Sequence, residues 1–342
     1  LNNRKYVFEL MGHLEEEGYT LGRVVTEQKG AFMVMTETGD RLSKISGKLR
    51  FQTVKREDLP AVGDWVLLSE EGAIIEKVLS RTSKFSRKKA GEEAEEQIIA
   101  TNIDTVFILS SLNDDLNSKR MERYVLLCWE SGANPVIILT KSDTCEDIEE
   151  KKREVENALL GVKVLAISAV NHEGIEELHP YLNKGKTVAL VGSSGVGKST
   201  LVNLLVGNDV QKTKEIRASD DKGRHTTTHR ELFLLDSGAS IIDTPGMREI
   251  QLWQGQEGLS TQYNEIEELA LQCRFADCRH EDEPGCMVRA AIQEGNLSEE
   301  RFGHYQKLQR EIAYMERKGN KRLESLERKK WKSIGKQRKL KY

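Results

Sequence analysis

Residues 192–200 read GSSGVGKST, and residues 139–143, well upstream, read LTKSD. The first stretch fits the pattern G-x-x-x-x-G-K-[ST], a phosphate cradle. Its glycines let backbone N–H groups wrap phosphate oxygens, and the helix that follows adds the positive end of its dipole. In this pattern Lys198 neutralises the β and γ phosphates and Ser199 ligates Mg²⁺. The candidate nucleotide contacts are Gly192, Ser193, Ser194, Gly195, Val196, Gly197, Lys198, Ser199 and Thr200. The second stretch suits a reader of guanine. Asp143 can accept from N1–H and from the exocyclic amine; adenine offers no such donor pair, so ATP would leave the carboxylate unpaired. Lys141 would lay its stem over the base, with Ser142 between the two. Further on, Ser168-Ala169 would let a backbone N–H approach the guanine oxygen. The usual form of the reader is NKxD. Thr140 replaces the Asn, and its shorter side chain is expected to brace the cradle less well. An ordinary GTPase places the cradle first and the reader late, so the order here is reversed.

Around these motifs, apolar runs alternate with helical spacing. TVFILSS (105–111), NPVIILT (134–140), KVLAIS (163–168) and KTVALVG (186–192) read as buried strands. MERYVLLCWES (121–131), IEEKKREVENALL (148–160), GIEELHPYL (174–182) and 198–207 read as helices. Strands ELFLL (231–235) and SIIDTP (240–245) follow. Such alternation implies a mainly parallel sheet with helices on both faces and ligands at the carboxyl ends of its strands. DTPG (243–246) ends the last of these strands. There Asp243 would bind Mg²⁺ through water, and the N–H of Gly246 would sense the γ-phosphate. Between cradle and DTPG lies a polar stretch, 214–232, suited to a switch loop. A Thr in it would complete the Mg²⁺ shell, with Thr227 and Thr228 as the candidates. Met247 occupies the place where GTPases of the Ras type carry a water-orienting Gln, so slow intrinsic hydrolysis is expected. His225 or His229 would supply the missing polar group, or a partner would; a structural loop role is the alternative for either His.

On the N-terminal side, residues 21–80 hold several short β-type segments separated by turn signals, which suggests a small barrel of OB or SH3-like type. Residues 81–100 are charged and weakly periodic, and read as a linker or mobile loop. The chain begins at Leu1, so an initiator Met or a short segment is expected to precede it. Across 342 residues the net charge is −3, but basic residues crowd 317–341, which suggests a local polyanion contact; a solvated tail is the alternative. No apolar run approaches a membrane span and no signal-peptide apolar region is present, so a soluble cytoplasmic protein without membrane contact is expected. Three of the five cysteines fall in Cys273-x4-Cys278-x-His280-x5-Cys286. Three thiolates and one imidazole fill all four places of a structural zinc site and leave none open for catalysis. Beyond it, Ser298 suits the N-cap of a helix whose stripe is Phe302, Tyr305, Leu308, Ile312 and Met315. The basic tail, with Trp331, suits RNA phosphates and a stacked base.

The small barrel, TKSD, the later Ser-Ala, GSSGVGKST, GRHTTT, DTPG and the cysteine cluster together resemble the ribosome small-subunit-dependent GTPase A family over nearly the whole chain. The resemblance implies a multidomain protein. Its parts are an N-terminal OB-fold RNA-binding domain (1–85), an α/β P-loop GTPase domain in circularly permuted order (86–255), and a mainly helical zinc-binding domain with a basic tail (256–342). It implies one structural Zn²⁺ and Mg²⁺ with GTP. It also implies a monomer that binds the small ribosomal subunit and its rRNA, hydrolyses GTP on it during late maturation, and takes part in release of ribosome-binding factor A. Two alternatives to a GTPase that releases itself by hydrolysis are a GTP-gated assembly scaffold and a permuted GTPase acting on another RNA. The reversed order has its own consequence: the segment that senses the γ-phosphate runs directly into the zinc module.

Overall fold

A computed structural model describes residues 2–28, 30–53, 56–69, 73–88, 96–113, 116–207, 230–244, 256–281 and 283–314. The candidates His225, Thr227, Thr228, His229, Gly246 and Met247, the stripe residue Met315 and the basic tail lie outside these residues. The chain forms two compact units, Leu1–Arg87 with Gln97–Ile250, and Lys88–Glu96 with Gln251–Tyr342.

The first unit opens with helix α1 (Asn2–Leu10), whose charged sequence had not suggested a helix. Its Phe8 meets Trp65 edge-on at 5.5 Å. Strands β1 (Tyr19–Gln28), β2 (Ala31–Thr36), β3 (Gly39–Ile45), β4 (Trp65–Ser69) and β5 (Ile74–Val78) follow, with helix α2 (Gly47–Gln52) between β3 and β4. Strand order β1-β2-β3-β5-β4 closes through a β1–β4 pairing, and β3 runs parallel to β5. Closure in this order, with a helix after the third strand, makes the barrel an OB-fold and sets aside the SH3-like alternative. Alternation sends Val24, Val34, Val66, Leu68 and Ile75 inward, all at 0% exposure. Ser46 caps α2 by accepting from Leu49 N–H at 3.0 Å.

Residues 81–100 depart from the expected linker. They hold β6 (Lys84–Lys88) and β7 (Glu96–Thr101), paired as a two-stranded sheet. Phe85 and Ile99 are buried to 0% and 1%, and these few apolar side chains anchor strands whose remaining composition is charged.

The alternating region forms β8 (Thr105–Ser111), β9 (Asn134–Thr140), β10 (Lys163–Ala166), β11 (Thr187–Gly192), β12 (Glu231–Leu234) and β13 (Ser240–Asp243), in the order β10-β9-β8-β11-β13-β12. All pair parallel except β12, which is antiparallel to β13. The seven residues of β8 and the six of β11 are all buried, as strands covered on both faces must be. Helices α3 (Ser118–Ser131), α4 (Ile148–Ala158) and α5 (Lys198–Val206) lie where their periodicity placed them. Asn117 caps α3 through Arg120 N–H at 2.9 Å. The segment expected as a short helix at 174–182 is a 3-10 helix, Ile175–Tyr181. Pro180 lies inside it, and its missing N–H removes a bond that an α-helix would need. The barrel joins this sheet through β1, which pairs antiparallel with β12 at Thr26↔Glu231, giving one eleven-stranded sheet.

The second unit contains α6 (Gln256–Gln262), α7 (Asn264–Leu271), α8 (Met287–Gln293) and α9 (299–314). The Ser298 hydroxyl accepts from Arg301 N–H at 3.1 Å, which makes it the N-cap of α9. The expected stripe is buried: Phe302, Tyr305, Leu308 and Ile312 are 2–5% exposed. Arg301 Nε bonds Glu265 Oε1 at 2.5 Å and the Tyr305 hydroxyl bonds Glu267 Oε1 at 2.8 Å, tying α9 to α7. Among the described residues no helix is long and apolar enough to cross a membrane.

Candidate functional site

Parallel pairing puts every described motif loop at the same end of the sheet. The reader follows β9, Ser168 follows β10, the cradle follows β11 and Asp243 ends β13. The register sets Leu190 beside Asp243 and Gly192 beside Leu109. The cradle is shaped by backbone first. Gly192 has φ +146, and a Cβ there would stand 2.4 Å from Leu109 O, so no side chain fits. Val196 is 1% exposed and anchors the loop in the core, while Ser194 and Gly195 face outward. Gly197 caps α5 in the left-handed region, leaving Ser199 and Thr200 exposed in the first turn.

Lys198 Nζ donates to Gly192 O and Ser193 O, each at 2.6 Å, so the cradle's own carbonyls hold the ammonium against the loop. Among the described residues the Ser193 hydroxyl is buried without a hydrogen-bond partner. A buried donor of this kind is costly when unmet, and a phosphate oxygen is the acceptor that suits it. The site therefore fits a nucleoside phosphate on its own geometry.

Thr140 does more than its length suggested. Its Oγ1 lies 2.6 Å from Val196 O and 3.4 Å from Ser110 O, and the residue is 4% exposed. The hydroxyl therefore spans from the reader to the cradle. The expected loss of bracing is not found, because β9 ends close enough for a short side chain to reach. Asp143 is exposed, and its Oδ1 accepts from Ser168 Oγ at 2.6 Å. Ser168 Oγ accepts in turn from Asn171 N–H at 3.1 Å. Ser142 N–H bonds Ile167 O at 3.1 Å, and Lys141 sits at φ +59. These bonds bring the segments of TKSD and Ser168-Ala169 together, as a base reader built from two loops requires. Asp243 is 8% exposed, and the neighbouring Thr244 hydroxyl bonds Leu190 O, pinning the start of the DTPG loop to β11.

In the second unit, the donor atoms of Cys273, Cys278, His280 and Cys286 all lie within 4.8 Å of one another. Cys273 Sγ is 3.6 Å from His280 Nδ1 and 4.0 Å from Cys286 Sγ, and His280 Nδ1 is 3.4 Å from Cys286 Sγ. A tetrahedron with metal–sulfur bonds of about 2.3 Å has edges of about 3.8 Å, so the four donors fit a zinc-sized ion. All the cysteines are free thiols. Burial lowers the His280 pKa and favours the neutral imidazole that a metal needs. Burial opposes ionisation of Cys273, but N–H donation from Met287 and Val288 and hydrogen bonds from Cys278 and Cys286 together outweigh it and hold the thiol low. Cys286 caps α8 by accepting from Arg289 N–H at 3.4 Å. Arg289 was not singled out in the sequence. Its Nε donates to His280 O at 2.8 Å and its guanidinium lies over Phe302, so it ties the metal knuckle to α9. No spacing signal marks that role.

A phosphate cradle on β11, with its base reader on strands that precede it in the chain, defines a circularly permuted P-loop GTPase. The family model described as RsgA GTPase matches residues 78–253, and a second, described as 50S ribosome-binding GTPase, matches 187–321. The chain belongs to the RsgA GTPase family and is a GTP hydrolase. It is 48% identical over 88% of its length to "Small ribosomal subunit biogenesis GTPase RsgA 2" of Lactiplantibacillus plantarum, covering 85% of that protein. It is 44% identical over 98% of its length to "Small ribosomal subunit biogenesis GTPase RsgA 1" of Oceanobacillus iheyensis, covering 97% of that protein. The solved structure of YjeQ from Thermotoga maritima superposes with a TM-score of 0.62 at 30% identity, over 86% of this chain and 99% of that one. YloQ, titled a circularly permuted GTPase, gives 0.60 at 23% identity over 87% and 96%, a likeness of fold.

Proposed function

We propose that this protein binds the small ribosomal subunit and hydrolyses GTP on it during maturation of that subunit. The observation that carries the reading is the permuted site itself: cradle, reader and Asp243 at one end of a single sheet, in a chain whose relatives are named for small-subunit biogenesis. In this reading Gly192 to Thr200 hold the phosphates and Thr140, Lys141, Ser142, Asp143, Ser168 and Ala169 hold guanine. Ser199 and Asp243 hold Mg²⁺; Thr227 or Thr228, Gly246 and His225 act in the switches. Cys273, Cys278, His280 and Cys286 hold one structural zinc. Residues 1–85, 86–255 and 256–342 are the RNA-binding, GTPase and zinc-binding domains of a cytoplasmic monomer, and release of ribosome-binding factor A accompanies turnover. Phe51 supports the barrel's role. It is 92% exposed on α2 beside exposed Lys48 and Arg50, and an aromatic among cations suits a stacked RNA base.

The test is GTP turnover of the full chain with and without purified small subunits, with Lys198→Ala as the blank. A rise of tens-fold or more supports a hydrolase released by its own reaction, since catalytic groups supplied by a partner typically contribute ~10³–10⁵. Met247 in the place of Gln favours a second reading, a GTP-gated scaffold. Subunit binding that needs GTP, with turnover unchanged, selects that reading.

A further inference from the structure

Arg23 sits in the middle of barrel strand β1 and reads, in sequence, as an ordinary alternating residue of LGRVV. In the fold it is 2% exposed and reaches four segments. Nη2 lies 2.8 Å from Thr187 Oγ1 and 3.4 Å from Asn102 O. Nη1 lies 3.4 Å from Ser240 Oγ, and Nε lies 3.4 Å from Gly63 O. Its guanidinium stands 5.0 Å from the Trp65 ring centroid. A buried cation is costly unless its donors are met, so these partners and the residue hold one another in place. Burial pulls its pKa down to about 10, with Asp104 and Asp64 pulling the other way, so it stays charged at neutral pH.

The identity of the two hydroxyl partners matters. Thr187 is the first residue of β11 and Ser240 the first of β13, and the two are register partners. The far ends of the same strands are the cradle and Asp243. One barrel side chain therefore grips the near ends of the two strands that carry the phosphate loop and the magnesium carboxylate. The grip is close. Gly63, at φ +96, leaves no room for a Cβ, which would stand 2.3 Å from Thr101 O. Thr101 N–H bonds Val62 O at 3.1 Å, and Asn102 Nδ2 bonds Gly63 O at 3.0 Å. The β1–β12 pairing adds a second link, to the strand hydrogen-bonded to β13.

We infer that Arg23 is a positioning residue that couples occupancy of the barrel to the placement of β13 against β11, and so to GTP turnover. The inference rests on the reading that the barrel meets ribosomal RNA, but the joint can be tested without it. Coupling is reciprocal, so nucleotide state must be felt in the barrel.

Amide hydrogen exchange of the full chain, with GDP or with a non-hydrolysable GTP analogue, reads this directly. A nucleotide-dependent change in protection of 19–28 and 61–68 is expected, lost in Arg23→Met and partly kept in Arg23→Lys. Thr187→Val removes the best acceptor without touching the barrel, and is expected to lose the same response should Arg23→Met fail to fold. No nucleotide dependence in the native protein, or full dependence in Thr187→Val, overturns the proposal. With small subunits added, either variant is expected to lower the ratio of stimulated to basal turnover by about 5-fold or more, in the range usual for coupled sites. Basal turnover and subunit affinity should stay within about two-fold. A parallel fall of basal and stimulated rates assigns these residues a purely structural role and also overturns it. Exchange coupling without any stimulation by subunits leaves the joint standing and sinks the reading of hydrolysis stimulated on the subunit instead.

Discussion

The nucleotide site and the cysteine cluster are built in opposite ways. The cradle is a loop of backbone held by a buried sheet: β11 is buried throughout, Val196 plugs the loop and Gly192 fits only because it lacks a Cβ. The cluster is four side chains on short irregular segments, with Cys273, Cys278 and His280 partly open to solvent. The first site has its shape before any ligand arrives, so binding can be spent on selectivity and switching. The second brings its donors together on segments without regular secondary structure, so a bound ion would cross-link them. Affinity for structural zinc in small modules is worth about 10–16 kcal/mol.

Chelation should therefore produce the largest effect. A strong chelator, or Cys286→Ser, is expected to abolish amide protection across 264–312 while the protection of β8 and β11 survives. Retained protection in the second unit would erase the contrast. Next in size, Lys198→Ala should lower GTP turnover about 10²–10³-fold, the usual cost of losing one preorganised electrostatic group, with the melting temperature of the sheet unchanged. A large drop in that melting temperature would mean that the cradle is not preformed. Thr140→Val keeps the branched shape and removes the hydroxyl that reaches Val196 O. It should weaken GTP binding by about 1–3 kcal/mol, the cost of leaving a buried acceptor unmet, and speed exchange of amides 195–199. Unchanged affinity would show that the brace is dispensable. The Lys77–Glu16 pair, with side chains 54% and 44% exposed, gives the background. Lys77→Met should shift denaturant stability by no more than about 1 kcal/mol.

The same contrast explains what could be read from sequence. Strands β8, β9 and β11 are continuous apolar runs, and the cradle and TKSD are fixed spacings, so local composition carries them. The cysteine cluster is legible for the same reason, as donors close in sequence. The barrel's existence was visible, but its type was not, because the parallel β3–β5 pairing depends on contacts far apart in the chain. Strands β6 and β7 were missed because so few apolar side chains carry their burial among charged neighbours. Thr140's reach was underestimated because side-chain length says nothing about how near two strand ends come. Arg23 was invisible as a joint, since its partners Thr187 and Ser240 lie 164 and 217 residues away.

The β1–β12 link has a further consequence, for self-association. A strand at the rim of a sheet offers unpaired N–H and C=O groups to any passing chain. Here β12 pairs with β1 at Thr26↔Glu231, and β1 belongs to a barrel that closes on itself through β4. Among the described residues the other end strand of this sheet is β10, four residues beginning at exposed Lys163, a short template with a charged start. A second copy seeking to extend this sheet on the β12 side would first have to displace the protein's own barrel. The covalent partner thus acts as a permanent occupant of the place where fibril growth or strand exchange would otherwise begin.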